Sequence, residues 1–305
     1  MANSLTITYL SKVSLASLNG SDKEVDNINP IKKVTLPNGE QLPYVSSQAI
    51  RRALRDKLEE LGHSVSPVLE SSTSKGAPKT ALDPVQYLDD DLFGYMDAKA
   101  GSDGEKGTSN TRTSPIRVDS LLALATYKGD LDYATNFMGQ KIGLDPNIFE
   151  TEIHSGVYRG SILIELDRVG VEWRLVDTKE RKLERIDLVS PEEKAGRVIA
   201  FLDAFRTMWS SGRQSRFLAD ISPKFVAAAL MSSKNPIFLE AVNLNDSGQI
   251  KMEELATVVM DYQKYIESHV FAVQEAVFKI LPGMNTLTEG FEKIENWVRD
   301  YYEVK

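Results

Sequence analysis

The chain contains no cysteine, which excludes disulfides, thiolate metal sites and a thiol nucleophile. Histidine is scarce: His63, His154 and His269 lie far apart and show no HExxH-type spacing, so no zinc site is expected. No stretch reaches the apolar length of a bilayer span, and the N-terminus MANSLTITYL has no basic region ahead of a long apolar run. The expectation is a cytoplasmic protein with no membrane partner. An excess of cations is also missing, since 36 Lys and Arg face 44 Asp and Glu, a net charge of −8. Free-standing nucleic-acid binders are usually basic overall, so this balance counts against one while leaving room for a local basic surface. What is present is ordinary for a globular chain: 305 residues, 42% hydrophobic and 26% charged. That length suffices for one large domain or two smaller ones. No repeat of 20–50 residues is visible.

The stretch Pro43–Leu61, PYVSSQAIRRALRDKLEEL, organises the chain. Ser46 or Ser47 reads as a helix N-cap, with Pro43 outside the helix. Ile50, Ala53, Leu54, Leu58 and Leu61 form one apolar face at helical spacing. Arg51, Arg52 and Arg55 lie off that face in the first two turns, where cations oppose the helix dipole. Such placement points to an anionic partner, and the free N–H groups of the helix start also suit phosphate. The plainer alternative is a solvated helix with mixed charges. On the first reading, replacing the three arginines by Ala leaves the fold intact.

Upstream, Asn3–Leu18 alternates apolar and polar residues as a half-buried strand and ends in the turn signature Asn19-Gly20-Ser21-Asp22. Asn38-Gly39 predicts a tight turn between 33–36 and 41–42. Downstream, Glu152–Gly170 alternates most strongly and predicts a strand. Ser190-Pro191-Glu192-Glu193 is a capping box with proline at the first helical position. The helix it opens buries Val198, Phe201, Leu202, Phe205 and Met208 or Trp209. A small-residue loop with Arg213 and Arg216 follows, then an apolar strand over 224–231. The order strand, helix, strand, strand, helix, strand matches a split βαβ pair, the pattern of ferredoxin-like and RRM-like sheets. Helices are expected over 252–278 and 287–302.

Residues 64–113 interrupt this pattern. Ser, Thr, Gly, Lys and Asp dominate 71–80 and 99–113, which predicts flexible flanks around one ordered patch at 83–96. Asp89, Asp90 and Asp91 are adjacent, and adjacent side chains do not normally converge on one ion. A helix start or a solvated acidic turn is expected there rather than a metal site. The segment 243–254 imitates an EF-hand loop but begins with Asn243 and has Ser247 at its fifth position, so no calcium site is expected.

Five stretches together resemble one family: LPNGEQLPYVSSQAIRRALR (36–55), DPVQYLDDDLFGYM (83–96), RTSPIRV (112–118), IFETEIHSGVYRGSILIELDRVG (148–170) and GRQSRFLADISP (212–223). They resemble the crRNA-binding backbone subunit of type I CRISPR Cascade complexes, in its DevR-type branch. The resemblance implies an α+β fold with an RRM-like (ferredoxin-like) antiparallel sheet palm, inserted finger and thumb segments, and C-terminal helices. The palm and thumb would occupy 1–63 and 114–235, the inserted finger 64–113, and a helical extension 236–305. It further implies partners: CRISPR RNA, copies of the same chain polymerised along the spacer, other Cascade subunits, and target DNA read through the guide. A subunit that accepts any spacer holds phosphates and sugars rather than reading bases. Carried over by motif, the RNA-binding residues would be Asn19, Gly20, Gln48, Arg51, Arg52, Arg55, Arg112, Arg117, Arg213 and Arg216. No catalytic residue, metal or cofactor is implied. The alternative is a metal-dependent ribonuclease of the same fold, because related backbone subunits cleave target RNA with an aspartate that Asp26 loosely matches.

Overall fold

The computed structural model describes residues 2–22, 27–69, 78–99, 108–143, 145–177, 182–210 and 216–304. The chain opens with β1 (Ser4–Ala16), followed by the short β2 (Ile28–Asn29) and the hairpin β3 (Lys33–Thr35) and β4 (Gln41–Val45). Gly39 turns that hairpin at φ 85°, a conformation that glycine adopts without steric cost. Helix α1 (Ser47–Glu60) follows, capped by the Ser46 hydroxyl, which accepts from Ala49 N. Its buried face is Ile50, Ala53, Leu54 and Leu58, as the spacing predicts, while Leu61 is exposed.

Next come α2 (Leu88–Phe93), the hairpin β5 (Tyr95–Lys99) and β6 (Thr108–Arg112), and the short strands β7 (Ile116–Val118) and β8 (Leu121–Ala123). Strands β9 (Leu131–Asn136) and β10 (Asn147–Glu152) pair antiparallel, and β10 pairs with β2 to make a separate three-stranded sheet. Then follow β11 (His154–Glu165), the hairpin β12 (Val171–Asp177) and β13 (Lys182–Asp187), α3 (Pro191–Arg206) and β14 (Phe225–Met231). The chain closes with α4 (Met252–Asp261), β15 (Ile266–Val273), β16 (Asn285–Thr286) and α5 (Leu287–Tyr301).

The main sheet runs β16-β15-β14-β1-β11-β8-β4-β3, with β7 beside β8 on β11. It is mixed rather than wholly antiparallel, because β15 and β16 pair parallel. Strand β14 explains the layering. Its residues alternate sides: Val226, Ala228 and Leu230 join the core under α1, α3 and α5. Phe225, Ala227, Ala229 and Met231 join a second core under the 237–259 segment. Both faces are thus covered over β14, and its composition is almost wholly apolar for that reason.

Two expectations are corrected. The helix anticipated over 252–278 is α4 followed by β15, which pairs antiparallel with β14 from Phe225–Val273 to Met231–Ile266. The 236–305 region therefore completes the sheet and is not a purely helical extension. Within 64–113, Tyr95–Arg112 and the following pairs define a regular hairpin, so 108–112 is strand; residues 70–77 and 100–107 lie outside the described ones.

Candidate nucleic-acid interface

The turn after β1 and the start of α1 meet directly. Asn19 Oδ1 accepts from Ser46 N at 2.9 Å, tying the turn to the helix N-cap. Gly20 bridges Ile31, and Lys32 N donates to Asn19 O at 2.8 Å. Gln48 is exposed in the first turn of α1. Arg52, one turn on along the same face, is also exposed and pairs with Asp56 at 2.8 Å. Gly20, Gln48 and Arg52 are exposed and Asn19 is half-buried, and the Asn19–Ser46 bond brings the turn beside this open start of the helix.

Arg51 and Arg55 do not share it. The Arg51 guanidinium donates to Phe93 O and, with Arg55, covers the Phe93 ring at 5.5 and 4.7 Å. Arg55 Nε donates to Asp89 Oδ2 at 3.0 Å, and that carboxylate is fully buried. Burial, with the Arg55 charge beside it, lowers the Arg51 pKa. Both arginines hold α2 against α1, so the expectation that all three arginines are free of the fold is corrected.

The acidic triplet opens a helix, the first of the two expected readings, but it is not solvated: all three carboxylates of α2 are buried. Asp89 also accepts from Ser66 N at 2.7 Å, and Asp90 from Asp83 N at 2.9 Å. Asp91 accepts from Gly170 N at 2.9 Å, from Arg197 at 2.8 Å and from the Arg112 guanidinium. Arg112 is consumed in that network, donating also to Val171 O at 3.0 Å. Asp89 and Asp91 thus have the cations and hydrogen bonds that a buried carboxylate requires, whereas Asp90 has no cation and its Oδ1 finds no partner among the described residues.

Arg117 lies apart on β7, where its exposed guanidinium pairs with buried Glu165. Lys234 and Arg168 reach the same carboxylate at 3.0 and 3.4 Å. Burial pushes the Glu165 pKa up, but these cations together outweigh it and lower the pKa. Arg216 pairs with Asp132 of β9, touches Thr151 Oγ1 at 3.3 Å and stacks over Phe149 and Phe217. Thr151 pairs with Asn29 of β2, two residues before the Ile31 that bridges Gly20. Arg216 therefore connects to the Asn19–Gly20 end of the molecule through the three-stranded sheet. Arg213 and Asp26 lie outside the described residues.

A brace that the motifs did not single out supports this end. Glu152 accepts from Ile31 N at 2.9 Å and from Lys33 Nζ at 2.6 Å, and Lys33 sits 4.5 Å from the Tyr127 ring centre. Its only sequence signal was alternation, because Glu152 stands 121 and 119 residues from Ile31 and Lys33. Among the described residues, no group of three His, Asp or Glu could hold a metal ion, and no helix is long and apolar enough to cross a membrane.

The fold is shared with chains of RNA-guided complexes. One, in a structure titled "CRISPR RNA-guided surveillance complex, pre-nicking", is 14% identical with a TM-score of 0.63, covering 97% of this chain and 99% of that one. A second, titled "CRISPR RNA-guided surveillance complex", is 16% identical with a TM-score of 0.58, covering 96% and 99%. Among curated proteins, none matches. The family model described as "CRISPR-associated negative auto-regulator DevR/Csa2" matches residues 7–249. The chain belongs to this DevR/Csa2 family of CRISPR-associated proteins.

Proposed function

We propose that the chain is the guide-RNA-binding backbone subunit of a type I Cascade-like surveillance complex, working in the cytoplasm as one of several copies side by side along the spacer. Target DNA is then read by pairing with the guide, as in other RNA-guided systems. In this reading the strands β14, β1, β11 and β7/β8, with α1 and α3 on one face, are an RRM-like palm. The segment around β5–β6 is the finger, and the β9–β10 sheet is the thumb. Family membership and the shared fold support it. The observation that carries it is the 2.9 Å bond from Ser46 N to Asn19 Oδ1. It joins the β1 turn to the helix start that carries the exposed Gln48 and Arg52. Phosphate-directed donors on such a surface suit a strand of any sequence.

The subunit is proposed to have no catalytic activity of its own, against the alternative of RNA cleavage by Asp26. Incubating the assembled complex with complementary RNA, with and without magnesium, is expected to leave the RNA intact.

The test of RNA binding is co-purification of guide RNA with the Gln48→Ala/Arg52→Ala double variant. Loss of guide with an unchanged melting temperature is the expected result. Full guide recovery and unchanged subunit stoichiometry would sink the proposal for this surface.

A further inference from the structure

We infer that the groove between α4 and the turn at 237–241 is a docking site for an amphipathic helix of another protein, one that carries Lys or Arg beside its apolar stripe. The inference rests on the proposed function for the source of that helix, a different subunit of the same complex.

The groove has a volume of about 620 Å³. Its walls are mainly apolar, with Pro236, Leu239 and Ala241 on one side and Val258 and Tyr262 on the other. Ile237 and Phe238 root the first wall in the second core, and Leu255 roots α4 there, so the groove is preformed. Leu255 is the one buried residue of α4. Glu254, Thr257 and Val258 line the groove instead. Asp261, seven residues on from Glu254, falls on the same face by helical spacing.

The charged residues lining the groove are both acidic, Glu240 and Glu254. Glu254 has an exposed pair with Lys251 at 2.9 Å, and Glu240 reaches Arg159 at 3.3 Å while its own side chain stays in water. Exposed pairs of this kind are weak. Asp261 joins neither pair and has no ion pair among the described residues. Its position also works against the helix: the last turn of α4 has no basic residue, and a carboxylate there opposes the dipole. Folding gives no reason for an acid at that point, whereas a cation arriving from outside does.

The walls offer no strand edge. Leu239 N donates to Pro236 O, Val242 N to Phe238 O and Tyr262 N to Val258 O. An extended segment would gain no ladder of backbone bonds here, while a helix brings its backbone already paired and needs only side-chain anchors at i, i+3 or i+4 and i+7. Glu254 and Asp261 are about 10 Å apart along the axis, which matches two cations seven residues apart on a helix laid beside α4.

The experiment titrates the full chain with a fluorescently labelled amphipathic peptide of Leu and Lys, about four helical turns long, with a Leu/Glu peptide of the same pattern in a parallel arm. The Leu/Lys peptide is expected to bind at least about tenfold more tightly. Asp261→Lys should weaken it about tenfold with a melting temperature equal to wild type or higher, because the new cation suits the helix end. Thr257→Arg, which sets a bulky cation in the groove, should weaken it similarly at an unchanged melting temperature. Equal affinity for the two peptides, or wild-type affinity in both variants, overturns the inference. A lowered melting temperature in Asp261→Lys also overturns it, because Asp261 would then serve the fold. In the complex purified with guide RNA, a photo-cross-linking residue at Thr257 should capture a segment of a different subunit with Lys or Arg beside an apolar stripe. Capture of another copy of this chain, of nucleic acid or of nothing overturns the inference. A chain that forms no complex counts against the proposed function alone, and the peptide titration still reports on the groove.

Discussion

Asp91 Oδ2 accepts a hydrogen bond from Arg197 Nη1 at 2.8 Å across 106 residues of sequence, with both side chains out of water. The same carboxylate holds Arg112 and Gly170 N. One short helix thereby locks α3, β6 and the start of β12 together. Removing one member of a buried charge group leaves the others unpaired, which costs about 3–5 kcal/mol. Asp91→Ala is expected to lower stability by that amount or more, since two guanidiniums lose their partner. Urea unfolding followed by fluorescence measures it. A loss below about 1 kcal/mol would show that water reaches the network in solution.

The arginines of α1 divide by the same logic. Arg55→Ala strands the buried Asp89 and should cost about 3 kcal/mol or more. Arg52→Ala removes only an exposed pair with Asp56, worth about 0.3–0.5 kcal/mol. Guide binding should respond in the opposite order per unit of stability lost. Melting curves and RNA content measured on the same two preparations check this; equal melting temperatures would contradict the structural role of Arg55.

Much of this architecture is legible in the sequence because its signals are local. Leu5, Ile7 and Tyr9 alternate with Ser4, Thr6 and Thr8 along β1 and mark the strand, but both sets are buried, so it is not half-buried as the alternation suggests. Ser190 and Pro191 open α3 as the motif predicts, although Glu193 spends its carboxylate on Arg197 at 3.0 Å rather than returning it to the cap. The break between α4 and β15 was not legible. The turn at 262–265 is Tyr-Gln-Lys-Tyr, with none of the Gly, Pro, Asn or Asp that normally mark a turn. The fate of the acidic triplet was equally hidden. Its partners Arg55, Arg112 and Arg197 stand 34, 21 and 106 residues away, and no spacing rule links them. Asn19 and Gly20 could be placed because a turn signature is local; their junction with Ser46 could not.

Tyr9 and Gly160 face each other across β1 and β11. A Cβ at position 160 would lie 2.7 Å from the Tyr9 ring, inside a core that cannot yield without cost. Gly160→Ala is therefore expected to destabilise by about 1–3 kcal/mol. The Tyr9 hydroxyl is buried with no hydrogen-bond partner among the described residues, and burial raises its pKa far above the usual phenol value. Tyr9→Phe should be neutral or stabilising by about 1 kcal/mol, because an unsatisfied buried polar group is removed. The double variant should stay destabilised, since the ring carbons clash as closely as the oxygen. Thermal melts of the three variants test this, and a marked loss in Tyr9→Phe would reveal a bound water on that hydroxyl.

Buried His154, and to a lesser degree the exposed His269 of β15, set the first acid-sensitive step in stability. Burial lowers the pKa of His154, only partly opposed by Asp130, and burial lowers that of His269. The ordinary value is 6.5, so below that pH the unfolded chain takes up protons that the folded chain refuses. Stability must then rise with pH in this window and fall as pH drops through it. The His154 ring also meets Tyr158 Oη at 2.7 Å, a contact that either tautomer or the cation could make, so the sign follows from burial rather than from that bond. Glu165 acts lower down. Its pKa is depressed below the ordinary 4.5 by the cations around it, so its contribution is present above that pH and lost only at stronger acid. The expected profile is a decline in melting temperature beginning near pH 6.5, followed by a second and steeper decline below about pH 4.5. His154→Gln/His269→Gln should flatten the first decline and leave the second. A first decline of unchanged slope in the double variant would assign it to carboxylates instead.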